Sequence, residues 1–254
     1  MKTAGIRTAL VIALLAVFAV GACAQGLYWE SIVSSDKMER KEVMKTWYMP
    51  KMLKIETGEG GDYAILRLDQ EKMYMVRPKN KTYSIMTFAD LEKGVKQANE
   101  QLEKMREQMK DMPKEQREAM EKMMGMSGGK DTKASVKKTG ETRTVGGYAC
   151  TRYKIMKGTD EFADLWVTRA IKGFDAMRGD LAAYSKRMTA LNPRMGEDLG
   201  KAMETIDGFP MESVAMGMKT TVTKVEPKST PVADFNPPVG FKQVEMQEMS
   251  GEGN

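Results

Sequence analysis

The sequence predicts an α+β fold built on an antiparallel sheet, arranged as a sandwich or an open barrel, with two helical regions set into it. Three observations carry this expectation. Residues 63–86, YAILRLDQEKMYMVRPKNKTYSIM, read as three short strands folded back on one another. After Phe88 the apolar period lengthens abruptly from two to between three and four. After Lys133 strand patterns return and, with one further helical interruption, continue nearly to the end of the chain.

The meander organises the rest. Leu66 and Leu68 alternate with Arg67 and Asp69, the pattern of a strand with one buried and one wet face. Asp69-Gln70-Glu71-Lys72 is a polar gap of hairpin length, and residues 73–76 are apolar on both faces. Pro78-Lys79-Asn80-Lys81 supplies the second turn, proline presetting φ and asparagine tolerating left-handed geometry. Tyr83 and Ile85 then resume the alternation. Connections this short cannot make the crossover that a parallel pair needs, so the strands are antiparallel.

Upstream, residues 28–35 read as the first strand, with a turn at Asp36-Lys37, and residues 41–49 as the second. In KMLKIET, residues 51–57, Leu53 and Ile55 alternate with Lys54 and Glu56. Gly58-Glu59-Gly60-Gly61-Asp62 is a loop. The first third thus holds about six antiparallel strands at the spacing of a sandwich or open barrel.

Thr87 with Asp90 three residues on is a capping-box signature. Leu91, Val95, Ala98, Leu102, Met105, Met109 and Met112 follow at helical spacing and make one narrow apolar stripe. Opposite it, Glu100 faces Lys104 and Glu107 faces Lys110. Leu102, Met105, Met109 and Met112 are the expected lid over the sheet. Pro113 starts a second helical piece through Met120, Met123 and Met124, so the whole Met-rich insertion covers residues 89–126.

In the second half, Gly146-Gly147 is a turn, and residues 148–157 place Tyr153 and Ile155 opposite Cys150. Leu165 and Val167 oppose Trp166 in the next strand. Residues 174–191 form the second helical region, broken at Asn192-Pro193 and resumed from Glu197. Residues 211–216 and 219–225 close the sheet; Thr221, Thr223 and Val225 are β-branched and suit it. Residues 25–245 are expected to form a single domain, and 246–254 a disordered tail.

Lys2 and Arg7 precede an apolar run over residues 9–20, the layout of a secretory signal covering 1–24 and too short for a mature span. Two cleavage readings stand open. Val20-Gly21-Ala22-Cys23 resembles a lipobox, which would end the signal at 22, lipidate Cys23 and anchor the chain to a membrane. Ala22-Cys23-Ala24 is also an ordinary small-x-small site. Either way the expectation is an exported protein, periplasmic or associated with the outer membrane. Cys150 then lacks a disulfide partner, unless cleavage falls just before an unmodified Cys23.

A net charge of +5 with 30% charged residues describes a mixed, solvated surface, without the basic face that a nucleic-acid partner needs. The chain contains no histidine, which rules out Ser-His-Asp and Cys-His catalysis and the usual zinc sites. No catalytic residue, cofactor or metal is expected, and the protein is read as a non-enzyme. The 25 methionines admit a soft Cu(I) surface. Their spread into the strands, at Met44, Met73, Met75 and Met86, fits adaptable core filling better.

Several short motifs resemble those of an uncharacterised bacterial envelope family, domain of unknown function 4412. They are Tyr28-Trp29-Glu30-Ser31, Arg67 with Asp69 before Met73-Tyr74, and Lys81-Thr82-Tyr83. Downstream they are Gly146-Gly147-Tyr148-Ala149-Cys150 with Tyr153, then Trp166, and Phe235 with Pro238-Val239-Gly240-Phe241. This likeness covers most of the mature chain. It implies a fold similar to the lipoprotein carrier LolA: a curved antiparallel sheet forming an open half-barrel, covered by two helical segments.

Relatives with that fold hold lipid chains or other apolar groups on the concave side. The expected function is therefore non-catalytic binding of a hydrophobic or lipid-like ligand, with Leu53, Ile55, Leu66, Leu68 and Tyr83 lining the cavity. The alternatives are a structural or protein-interaction module and a Met-rich Cu(I)-binding envelope protein.

Overall fold

The structure, a computed structural model, describes residues 26–35, 41–58, 60–110, 112–113, 115–116, 134–191 and 204–251. The signal region, Cys23, the methionines at 120–126 and the break at 192–193 lie outside the described residues.

Among the described residues, the first half contributes β1 (Leu27–Ser35), β2 (Glu42–Met49), β3 (Met52–Thr57), β4 (Tyr63–Arg67), β5 (Lys72–Arg77) and β6 (Thr82–Thr87), followed by α1 (Phe88–Met109). The second half contributes β7 (Ala134–Val145), β8 (Tyr148–Lys157), β9 (Asp160–Thr168), α2 (Phe174–Leu191), β10 (Phe209–Ala215) and β11 (Met218–Pro227). A 3-10 turn (Val232–Phe235), β12 (Lys242–Gln243) and α3 (Met246–Gly251) complete the chain.

All twelve strands form one curved sheet that does not close, in the order β12-β6-β5-β4-β3-β2-β1-β11-β10-β9-β8-β7. Every neighbouring pair is antiparallel except β12 with β6. The two halves of the chain are each built from local hairpins. They join where β1 pairs with β11, Leu27 opposite Pro227, a contact that no local pattern announces.

Register assigns the faces. Leu27, Trp29 and Ser31 on β1 stand opposite Tyr48, Thr46 and Met44 on β2, and these continue through Leu53 and Ile55 on β3 to Leu66 and Ala64 on β4. Because side chains alternate with a period of two, this whole set shares one face. That face carries α2, whose Met177 packs with Leu27, Tyr48, Phe209 and Met211. Ile65, Tyr74 and Val76 point the other way and are covered by Phe235, which is fully buried.

The segment after β11 is therefore a strap over the face opposite the helices. Lys228 N donates to Gly26 O at 3.0 Å as it leaves the sheet. The Arg67 guanidinium then fixes it, donating to Asn236 Oδ1 at 2.6 Å and to the Phe235 carbonyl, while Asp69 accepts two further bonds at 2.7 and 2.8 Å. A buried guanidinium is tolerated because its donors are paired.

The capping box at Thr87 and Asp90 is present in both directions, Asp90 N to Thr87 Oγ1 at 3.0 Å and Thr87 N to Asp90 Oδ2 at 3.0 Å. The helix it starts ends at Met109, so Met112 of the expected stripe lies beyond it. The tail also departs from expectation: residues 246–251 are helical rather than disordered. Met249 is buried, and the Ser84 hydroxyl meets the Met246 sulfur at 3.5 Å. Methionines three apart on one turn cover the polar end of β6, which gives this short helix a reason to form.

Candidate functional site: a cavity beneath the second helix

Helix α2 is seated on the sheet at several points. Phe174 at its start meets Phe209 edge-on, ring centres 5.4 Å apart, and Phe209 meets Trp29 in the same way at 5.6 Å. Nearly two turns on, Asp180 accepts from the Tyr48 hydroxyl at 2.8 Å and from Lys51 N at 2.6 Å. Burial, reinforced by the Asp180 carboxylate, pushes the Tyr48 phenol well above the ordinary tyrosine range. Farther along, Arg187 pairs with Glu71 and Glu92, and Phe88 at the start of α1 packs on Tyr184.

Between these anchors the helix and sheet do not meet fully. The helix presents Ala182 and Ser185, and the sheet side presents Ser31, Gly208, Ser213 and Thr220, all small. A cavity of about 390 Å³ results, partly open to solvent. Its apolar wall includes Trp29, Leu165, Phe174, Met177, Leu181 and Phe209. Two register shifts border it, at Glu30/Ser31 and at Pro210/Glu212. Such bulges sharpen local twist and bend a sheet away from a packed layer.

The cavity is greasy but not uniformly so. At its rim stand Glu204, exposed, and Arg178, half-buried. Arg178 donates to Asp175 at 3.1 Å and to the Ile206 carbonyl, and lies 3.8 Å from Asp207. In the floor, the Ser31 hydroxyl is buried and has no hydrogen-bond partner. Thr46, on the same face of the neighbouring strand, is in the same condition. Leaving a buried hydroxyl unpaired costs about 1–3 kcal/mol, so two side by side in one region call for a physical account.

The residues expected to line the cavity fall into three groups. Leu53, Ile55 and Leu66 share the helix-bearing face but stand beside the cavity rather than in its wall, and Leu53 packs into the core beneath α2. Tyr83 is on the opposite face, opposite Val76 in the ladder and beneath the strap. Leu68 lies past the end of β4, where its N–H donates across to the Lys51 carbonyl in the β2–β3 turn. Alternation alone left the choice of face open, and the Tyr83 assignment failed because β6 pairs one residue out of phase with the expected set.

The expected lid also differs. Leu102, Met105, Met109 and Met112 contribute nothing to the cavity wall: Met109 is buried, and Met105 is exposed. The covering helix is α2, because its aromatic and carboxylate anchors fall over β1, β2 and β10, whereas α1 packs against β6 and α2. Trp29, Phe174 and Phe209, the main aromatic wall, were legible as apolar residues but not as neighbours.

Cys150 is buried in the core, and desolvation raises its thiol above the ordinary range. Among the described residues no three His, Cys, Asp or Glu side chains are grouped to hold a metal ion, and no helix is long and apolar enough to cross a membrane.

The model of one family, described as "Domain of unknown function (DUF4412)", matches residues 114–241, just over half of the chain. The motifs at Gly146–Cys150, Trp166 and Phe235–Phe241 lie within that match, and those at residues 28–31, 67–74 and 81–83 precede it. None of the curated proteins matches. Solved structures give distant likenesses. "Structure of PNGF-II in C2 space group" is 8% identical over 89% of this chain and 32% of that one, with a TM-score of 0.39.

MucB in complex with MucA(peri) is 7% identical over 88% of this chain and 59% of that one, with a TM-score of 0.40. The Pseudomonas aeruginosa MucA/MucB complex is 7% identical over 87% and 59%, with a TM-score of 0.41. The chain spans between about a third and three fifths of the length of these structures. Likenesses at this level carry no relationship of function.

Proposed function

This chain belongs to the DUF4412 family of domains of unknown function, and we propose that its role is non-catalytic: to hold a hydrophobic or lipid-like ligand between α2 and the curved sheet. The single observation that supports this reading is the cavity itself. Its volume of about 390 Å³ falls in the roughly 300–1,000 Å³ range of small-molecule sites. Its wall is aromatic and aliphatic, with few polar groups, the usual make-up of a site that binds by burial and orients by one or two hydrogen bonds.

A chain lying against Trp29, Leu165 and Phe209 would replace the missing contacts between helix and sheet. In this proposal the trough is of the LolA-like kind, with α2 in place of the Met-rich helix as its cover. The protein works outside the cytoplasm, after the leader has been removed or Cys23 lipidated.

Native mass spectrometry after gentle purification, followed by titration with a fluorescent apolar probe, tests the reading. Co-purified amphiphile, or saturable probe binding that Leu181→Trp abolishes while the fold persists, is the expected result. A ligand-free protein that binds no probe would leave the domain as a scaffold or interaction module.

A further inference from the structure

We infer that the ligand is a single-chain amphiphile whose polar group is uncharged, seated with that group against the Ser31 hydroxyl and its chain against the aromatic wall under α2. The inference rests on the cavity being a binding site and adds the chemistry of what enters it.

Two observations meet here. Ser31 lines the cavity, is 1% exposed, and its hydroxyl has no partner. Thr46, its diagonal neighbour on the same face of the β1–β2 ladder, is equally unpartnered but is not part of the cavity wall, so Ser31 is the hydroxyl a ligand would meet. A hydroxyl, ester or amide oxygen placed there accepts from the Ser31 hydroxyl and turns an uncompensated burial into a hydrogen bond.

A carboxylate has no comparable place. The cation in the cavity wall, Arg178, is engaged by Asp175, Asp207 and the Ile206 carbonyl, and Asp207 also binds Arg169 at 2.5 Å. Glu204 stands in the same rim. An entering anion would meet Glu204 and an Arg178 already engaged by Asp175 and Asp207. In the floor it would lie in an apolar pocket with hydroxyl donors alone, where an ionised group is costly.

The test uses the full chain, delipidated, with the neutral probe 1-N-phenylnaphthylamine displaced by dodecanol, monododecanoylglycerol or dodecanoate below their aggregation limits. The two neutral compounds are expected to displace the probe at concentrations roughly tenfold lower than dodecanoate. Ser31→Ala should shrink that advantage, read as a ratio within the variant, to about threefold or less, whereas Thr46→Val should keep it.

Dodecanoate displacing as well as the neutral compounds, with Leu181→Trp still abolishing probe binding, overturns the inference and leaves the cavity reading intact. An advantage unchanged in Ser31→Ala also overturns it, because a bound water would then be the Ser31 hydroxyl's partner. Absence of probe binding in the unaltered protein overturns the cavity reading as well.

Discussion

The Tyr48 hydroxyl donates to Asp180 at 2.8 Å, joining the end of β2 to the middle of α2 across 132 residues of sequence. Asp180 also caps the β2–β3 turn through Lys51 N, so one carboxylate holds a helix and a hairpin together. Tyr48→Phe is expected to lower stability by about 1–2 kcal/mol in urea unfolding, the range for a hydrogen bond to a charged group with one bond left in place.

The same phenol sets an alkaline limit. Its pKa in the fold is raised, by burial first and by Asp180 second. Its contribution is thus complete below about pH 10, the unfolded value, and is lost as pH climbs beyond it. Tyr28 behaves likewise, through burial and its bond to Glu30. Unfolding free energy measured from pH 8 to 11 should fall above pH 10, and less steeply in Tyr48→Phe.

Arg67 should govern the strap. Its side chain is nearly buried and holds Asp69, Asn236 and the Phe235 carbonyl at once. Arg67→Ala is expected to cost about 2–4 kcal/mol and to speed amide exchange in residues 232–243 more than in β8 or β9. The Asp69 carboxyl is held below the usual carboxylate range, chiefly by the Arg67 hydrogen bonds. That contribution is present above about pH 4 and disappears as pH falls below it. Asp69→Asn should therefore flatten the acid limb of the stability profile.

Two glycines predict opposite signs in one assay. Gly208, at φ +128°, would place a Cβ 2.5 Å from the Thr168 carbonyl oxygen. Gly208→Ala should lose more than about 2 kcal/mol. Gly94 lies inside α1 with nothing within 4 Å of an added Cβ. Gly94→Ala should gain about 0.5–1 kcal/mol. Melting temperatures of the two variants check both.

Burial and desolvation predict that Cys150 resists thiol reagents in the folded protein. Peptide mapping after brief alkylation should find Cys150 unmodified in buffer and fully modified in denaturant. Rapid native labelling would contradict its place in the core.

Ligand affinity should follow chain length. Each methylene buried against the cavity wall contributes about 0.8 kcal/mol, or about fourfold in Kd. A homologous series of alcohols should tighten by that factor per carbon and then level off when the cavity is full. Isothermal titration of the series would show a flat response if the chain lies on an open surface instead.

Strand period and helix capping are local properties of the chain. The alternation at Leu53, Ile55, Leu66 and Tyr83 marks strands, and Thr87 with Asp90 starts a helix, because period and capping act within a few residues. The tertiary structure decided which face each strand turns inward, that β1 meets β11, that Phe235 plugs the far face, and that α2 rather than the Met-rich helix covers the cavity. These depend on pairings between residues up to about two hundred positions apart. A period of two specifies that a face is buried without saying against what. The cavity belongs wholly to this second class: Ser31, Ala182, Gly208 and Ser213 are unremarkable singly, and space appears only where the fold sets small side chains opposite one another.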